Sequence, residues 1–144
     1  MTVDHIAKVE TTIHASEDQV WQALVTPDLI KKYMFGTDVV SDWKEGSTIL
    51  WKGNWKGKAY EDKGKILEFH PPSRLQYSHF SPLTGEADKP ENYHKVTIEL
   101  KRSGTDTNVV LTQDNNSTEE AKQHSEKNWE SMLAGLKKLI EPDK

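Results

Sequence analysis

The chain has 144 residues, 34% hydrophobic and 29% charged, with 19 basic side chains against 23 acidic ones and a net charge of −4. That size suits one domain around one main core, and large apolar residues recur too often for a disordered segment. The absence of cysteine excludes a disulfide scaffold and a Cys-ligated metal site.

Met1 is followed by Thr2, Val3, Asp4 and His5, with no basic segment leading into an apolar one, so no secretory signal is expected. His5 to Ile13 reads as a first strand, with Ala7, Val9, Thr11 and Ile13 on one face. Ser16 with Gln19 forms a capping box, and Val20, Trp21, Leu24 and Val25 follow at helical spacing. Thr26-Pro27-Asp28 starts a second short helix, because Pro at the first helical position loses no hydrogen bond. Leu29, Ile30 and Tyr33 supply its apolar face, and Gly36 ends it.

From Thr37 to Asp114 short alternating runs are punctuated by Gly, Pro and Asn. Strands are expected near Asp38–Val40, Ser47–Gly53, Lys58–Phe69, Arg74–Phe80, Tyr93–Lys101 and Asn108–Gln113. His94, Val96, Ile98 and Leu100 alternate with Lys95, Thr97, Glu99 and Lys101, the mark of an antiparallel strand with one wet face. Gly104, between Ser103 and Thr105-Asp106, suits a hairpin turn, and Ser81 to Asn92 reads as a loop. The densest basic stretch, Lys52 to Lys65, also carries Glu61 and Asp62, so duplex binding is not expected.

The last element is a long helix. Ser117 and Glu120 suit a capping box, and Trp129, Met132, Leu133, Leu136, Leu139 and Ile140 form one stripe. Burying each of those side chains is worth roughly 1.5–3 kcal/mol in gross transfer terms, so the stripe must dock. Stepping back along the same face gives Ser125, Lys122 and Ala121, where a filled core would want Leu. No run approaches the roughly 18 apolar residues of a spanning helix.

Ile13 to Leu24 (IHASEDQVWQAL) with Thr26-Pro27 resembles the opening of the START-like (SRPBCC) superfamily. Glu45-Gly46, Gly64 to Tyr77 (GKILEFHPPSRLQY) and Asn128-Trp129 narrow the resemblance to its activator of heat-shock-protein ATPase-like branch. It spans nearly the whole chain, 1–144 as a single domain. It implies an α+β helix-grip fold, as in the birch pollen allergen: a curved antiparallel sheet of about seven strands wrapped around a long C-terminal helix. A cavity for an apolar ligand often lies between them. A separate domain of the eukaryotic co-chaperone does much of the chaperone binding, and the START-like unit leaves no room for it here. A chaperone is thus the secondary expected partner.

For the site itself, aromatic and polar residues on the inward faces are the candidates. Trp51, Trp55, Tyr60, Tyr77 and Trp129 suit the walls of an apolar pocket, and equally suit plain core packing. His79 shares a strand face with Leu75 and Tyr77, and His94 shares one with Val96 and Ile98; each either meets the cavity or meets water at a strand end. Ser125 and Asn128 belong over a pocket mouth, and Met132 completes the helix side. Glu68 and His70 alternate against Leu67 and Phe69, so the last two are expected on the buried face and the first two in solvent.

No two His stand one helical turn apart, and there is no nucleophile elbow or phosphate loop, so neither metal nor cofactor is expected. The expected function is binding of a small hydrophobic ligand: a lipid, a polyketide or a flavonoid-like aromatic metabolite. The expected protein is a cytoplasmic monomer that meets neither nucleic acid nor membrane. Catalysis of the polyketide cyclase or dehydratase kind is the alternative, with His79 and His94 as its nominated acid–base groups.

Overall fold

The computed structural model describes residues 5–34, 36–55, 57–81, 87–89, 92–116 and 118–141. Strand β1 (His5–Ile13) is followed by helices α1 (Glu17–Val25) and α2 (Pro27–Tyr33). Strands β2 (Asp38–Ser41), β3 (Thr48–Trp55), β4 (Lys58–His70), β5 (Arg74–His79), β6 (His94–Ser103) and β7 (Asp106–Asn116) come next. Helix α3 (Glu119–Ile140) closes the order. Among the described residues the seven strands form one curved antiparallel sheet in the order β1-β7-β6-β5-β4-β3-β2. This is the helix-grip architecture expected from the chain.

Local chemistry accounts for the element ends. Ser16 accepts from the Gln19 N–H and Gln19 reaches back to the Ser16 N–H, so both halves of the capping box are made. Gly36 sits at φ 79° and returns its N–H to the Lys31 carbonyl, ending α2 as a left-handed residue should. The β6–β7 hairpin pairs Ser103 with Asp106 across Gly104 at φ 65°. The cap of α3 differs from expectation: Thr118, one residue later, accepts from the Ala121 N–H, while Ser117 lies outside the described residues. Thr at this position caps as Ser does, so the sequence admits both registers.

The core lies between the concave sheet face and the three helices. Val20, Trp21, Ala23 and Leu24 of α1, Ile30 and Tyr33 of α2, and Met132, Leu133 and Leu136 of α3 are all buried in it. Trp129, Leu139 and Ile140 pack against it half-buried, so the expected stripe does dock. Tyr33 ties α2 to α1 by donating its hydroxyl to the Ala23 carbonyl at 2.7 Å, and burial pushes its phenol pKa up.

One expectation on β4 fails. Leu67 is 39% exposed, because the β4–β5 register slips between Ile66 and Glu68. That bulge adds one residue, so Ile66 faces inward before it and Phe69 packs on Trp21 after it (ring centroids 5.3 Å apart). Glu68 and His70 do face outward; Glu68 pairs with Arg74, which also holds Glu99.

The sheet edges are covered rather than open. Along β1 and the residue after it, α3 and its C-cap supply partners to the free backbone groups: Glu126 accepts from the Lys8 N–H at 3.1 Å and Glu141 from the His14 N–H. Lys137 donates to the Thr12 carbonyl at 2.8 Å. The opposite edge, β2, has only four residues. Both devices oppose strand addition by another chain. No helix among the described residues is long and apolar enough to cross a membrane.

Candidate functional site

The inward residues of β3, β4 and β5 converge at the end of the sheet facing the first half of α3. On β4, alternation brings Tyr60, Asp62, Gly64 and Ile66 to one face. Asp62 stands directly across from Trp51 of β3, Ile66 across from Tyr77 of β5, and His79 across from His94 of β6. Two glycines permit this. A Cβ on Gly53 would lie 2.7 Å from the Tyr60 hydroxyl, so the missing side chain lets that ring fold across the strand. A Cβ on Gly64 would lie 1.7 Å from the Ser78 carbonyl oxygen, so only Gly allows β4 and β5 to approach there.

The result is a cavity of about 80 Å³. Its aromatic walls are Trp51, Tyr60, Tyr77 and Trp129; Met34, Thr37, Asp62 and His79 complete the lining. Trp51 leans on Tyr77 (centroids 5.2 Å apart) and meets His79 edge-on (4.9 Å). The Tyr60 hydroxyl shares a hydrogen bond with the Thr37 hydroxyl at 2.8 Å, and Thr37 is buried. Burial pushes the Tyr77 phenol pKa up, so it stays neutral throughout the physiological range. A second void of about 30 Å³ lies deeper, against Ile98 and Met132, and shares Met34, Trp51 and Tyr77 with the first.

The polar centre of the wall is a carboxylate–imidazole pair. His79 Nε2 lies 3.0 Å from Asp62 Oδ2, with the Asp62 side chain 15% exposed and the His79 side chain 30% exposed. Asp62 Oδ1 is shielded from solvent and has no hydrogen-bond partner. The His94 ring is 6.5 Å from that of His79, and its Nδ1 is engaged with the Asp114 carbonyl at 2.9 Å. Such a pair can hold a proton between its members or present hydrogen-bonding groups to a bound molecule. Among the described residues no cluster of three or more His, Asp or Glu could hold a metal ion.

Of the expected site residues, Trp51, Tyr60, Tyr77, His79 and Trp129 meet around the larger cavity, and Ile98 and Met132 around the smaller one. Val96 is plain core, and His94 stands beside the cavity rather than in its lining. The Trp55 side chain lies outside the described residues.

The polar start of α3 is met by polar residues of β7 rather than by open space. Ser125 donates to Asn116 Oδ1 at 3.0 Å, and Trp129 Nε1 donates to Gln113 Oε1 at 2.6 Å. Asn128, a helical step off that face, is exposed. The sequence reading missed Met34, Thr37 and Asp62.

A wider groove of about 500 Å³ runs over the other face of the sheet, along Thr48, Lys63, Lys65 and Ser78. Within it Lys63 pairs with Asp88, which also accepts from the Tyr93 hydroxyl and is thereby held below the usual carboxylate range. The aromatic-lined cavity, more than this charged trough, has the form of a small-molecule site.

The family model described as activator of Hsp90 ATPase homolog 1-like protein matches residues 14–141. The solution structure of ChR145 from Cytophaga hutchinsonii is 63% identical, with a TM-score of 0.88 over 99% of this chain and 97% of that one. The crystal structure of CalU16 from Micromonospora echinospora is 25% identical, with a TM-score of 0.73 over 94% of this chain and 75% of that one. The Aha1 dimer from Colwellia psychrerythraea shares the fold at 24% identity and a TM-score of 0.74, with 97% of each chain covered. Among curated proteins, none matches the chain.

Proposed function

The chain belongs to the activator of Hsp90 ATPase homolog 1-like family, and from that premise we propose that it binds a small aromatic molecule between the sheet and α3. One observation carries the proposal: aromatic rings and a few polar groups line a void at the place where a purely structural domain would be packed solid. An apolar cavity needs about 150 Å³ to take a benzene-sized guest. The main void, at about 80 Å³, therefore needs a side chain to yield.

Met34 is suited to that, since it lines both voids and a thioether side chain turns easily. Swinging it aside joins the two spaces. Among lipids, polyketides and flavonoid-like compounds, this volume favours the smallest aromatic members.

An amide chemical-shift screen of the full chain against small aromatic and aliphatic compounds tests the reading. At least one compound should move the amides of Trp51, Asp62 and Tyr77 and the indole N–H of Trp129. Met34→Trp, which fills the shared space, should abolish those shifts while the melting temperature moves by no more than about 4 °C. If no compound moves those signals, or Met34→Trp leaves the response intact, the domain is not a binder of this kind.

Acid–base catalysis is the second reading, favoured by the Asp62–His79 pair on the cavity wall. A turnover reaction that His79→Gln abolishes with binding retained would establish it.

A further inference from the structure

Asp62 has an incomplete environment. Its Oδ2 is engaged with His79 at 3.0 Å, while Oδ1 is cut off from solvent and has no partner. A carboxylate oxygen in that state has lost its water and gained nothing in exchange, and native structures avoid it unless something else completes the site. No side chain of the cavity lining does so: it holds no Lys and no Arg, and the Thr37 and Tyr60 hydroxyls share a hydrogen bond with each other at 2.8 Å. Asp62 also lines the cavity itself. The terminal torsion of an Asp side chain is soft, so Oδ1 can turn toward the cavity.

A donor that arrives with the occupant completes that environment. We infer that the ligand carries an O–H or N–H group on its aromatic body, that this group donates to Asp62 Oδ1, and that Asp62 excludes ligands headed by a carboxylate. The inference rests on the cavity reading and sharpens it. Trp51, Tyr77 and Trp129 accept the ring, and Asp62 reads the head group. A carboxylate head would set two like charges together, with no Lys or Arg in the lining to stand between them. A methyl ether would fill the same space and leave Oδ1 unpaired, the kind of mismatch that a polar site rejects strongly.

Three probes with the same methylated ring separate these effects: para-cresol, 4-methylanisole and para-toluate, each titrated into the full chain and followed by amide shifts. Para-cresol should bind about tenfold more tightly than the ether, and para-toluate more weakly still. In Asp62→Asn, which keeps the size and removes the charge, the cresol-to-ether ratio should fall to within about threefold of unity. Should that variant not fold, the ratio in the natural chain decides alone. Equal affinity for cresol and ether, or preference for toluate, overturns the inference while leaving the cavity reading intact. Silence of all three probes also overturns it, and the wider screen then decides separately whether the cavity binds anything.

Discussion

Leu136 and Leu67 make a paired test of where the core lies. Leu136 is 0% exposed on the inner face of α3, whereas Leu67 is 39% exposed at the β4 bulge. Replacing Leu136 by Ala removes three buried carbon atoms, worth about 2.4 kcal/mol at ~0.8 kcal/mol each. The hole left behind adds to this, because a close-packed interior relaxes only partly, and the total comes to about 3–4 kcal/mol. For a chain of this size that corresponds to a fall in melting temperature of roughly 6–16 °C.

Leu67→Ala should cost less than about 1 kcal/mol, since much of the side chain is already in water. Urea denaturation followed by tryptophan fluorescence measures both, and the denaturant slope should stay that of the natural chain. Comparable losses at the two positions would refute the bulge, and a loss below about 0.5 kcal/mol at Leu136 would refute the docking of α3.

Two further outcomes follow from the surface of the sheet. The Arg74 guanidinium beside Glu68 holds that carboxyl below its ordinary range, so its contribution to stability is present above the ordinary carboxylate pKa and lost as pH falls through the lowered value. Arg74→Met should flatten stability against pH in that acidic window and leave neutral-to-basic behaviour alone, which denaturation midpoints at several pH values would show. On the β1 edge, Glu126→Ala together with Glu141→Ala removes the acceptors of the Lys8 and His14 amides. Those two amides should then exchange with solvent faster while the buried amides of β7 keep their protection; unchanged exchange would mean that α3 does not cover the edge.

The fold was legible because its elements announce themselves by mechanisms that act over a few residues. The Ser16–Gln19 box, Pro27 at a helix start, Gly104 at a hairpin and the Trp129 to Ile140 stripe each bind one local decision to one local pattern. The misplaced features are those where a pattern admits a shift by one residue. Thr118 caps α3, although the adjacent Ser117 fits the same rule. Leu67 is out because a bulge inserts it, and a bulge has no obligatory sequence mark.

That one inserted residue also hid the centre of the candidate site. Alternation counted back from Phe69, which packs on Trp21, sends every even-numbered residue of β4 to solvent, Asp62 among them. With the bulge between Ile66 and Glu68 the parity reverses, and Tyr60, Asp62, Gly64 and Ile66 turn inward together. The clue available in the sequence was Gly64: a strand interior gives up a side chain where another backbone comes close, and Ser78 does so there.

The polar residues at the start of α3 present the opposite case. Ser125 suggested an open mouth, but β7 offers Gln113 and Asn116 in exactly complementary chemistry, so polarity on the helix was matched by polarity on the sheet. A polar residue facing the core thus marks a site only when its partner is missing. By that criterion Ser125 is satisfied within the fold, and Asp62 Oδ1 is the oxygen left without a partner.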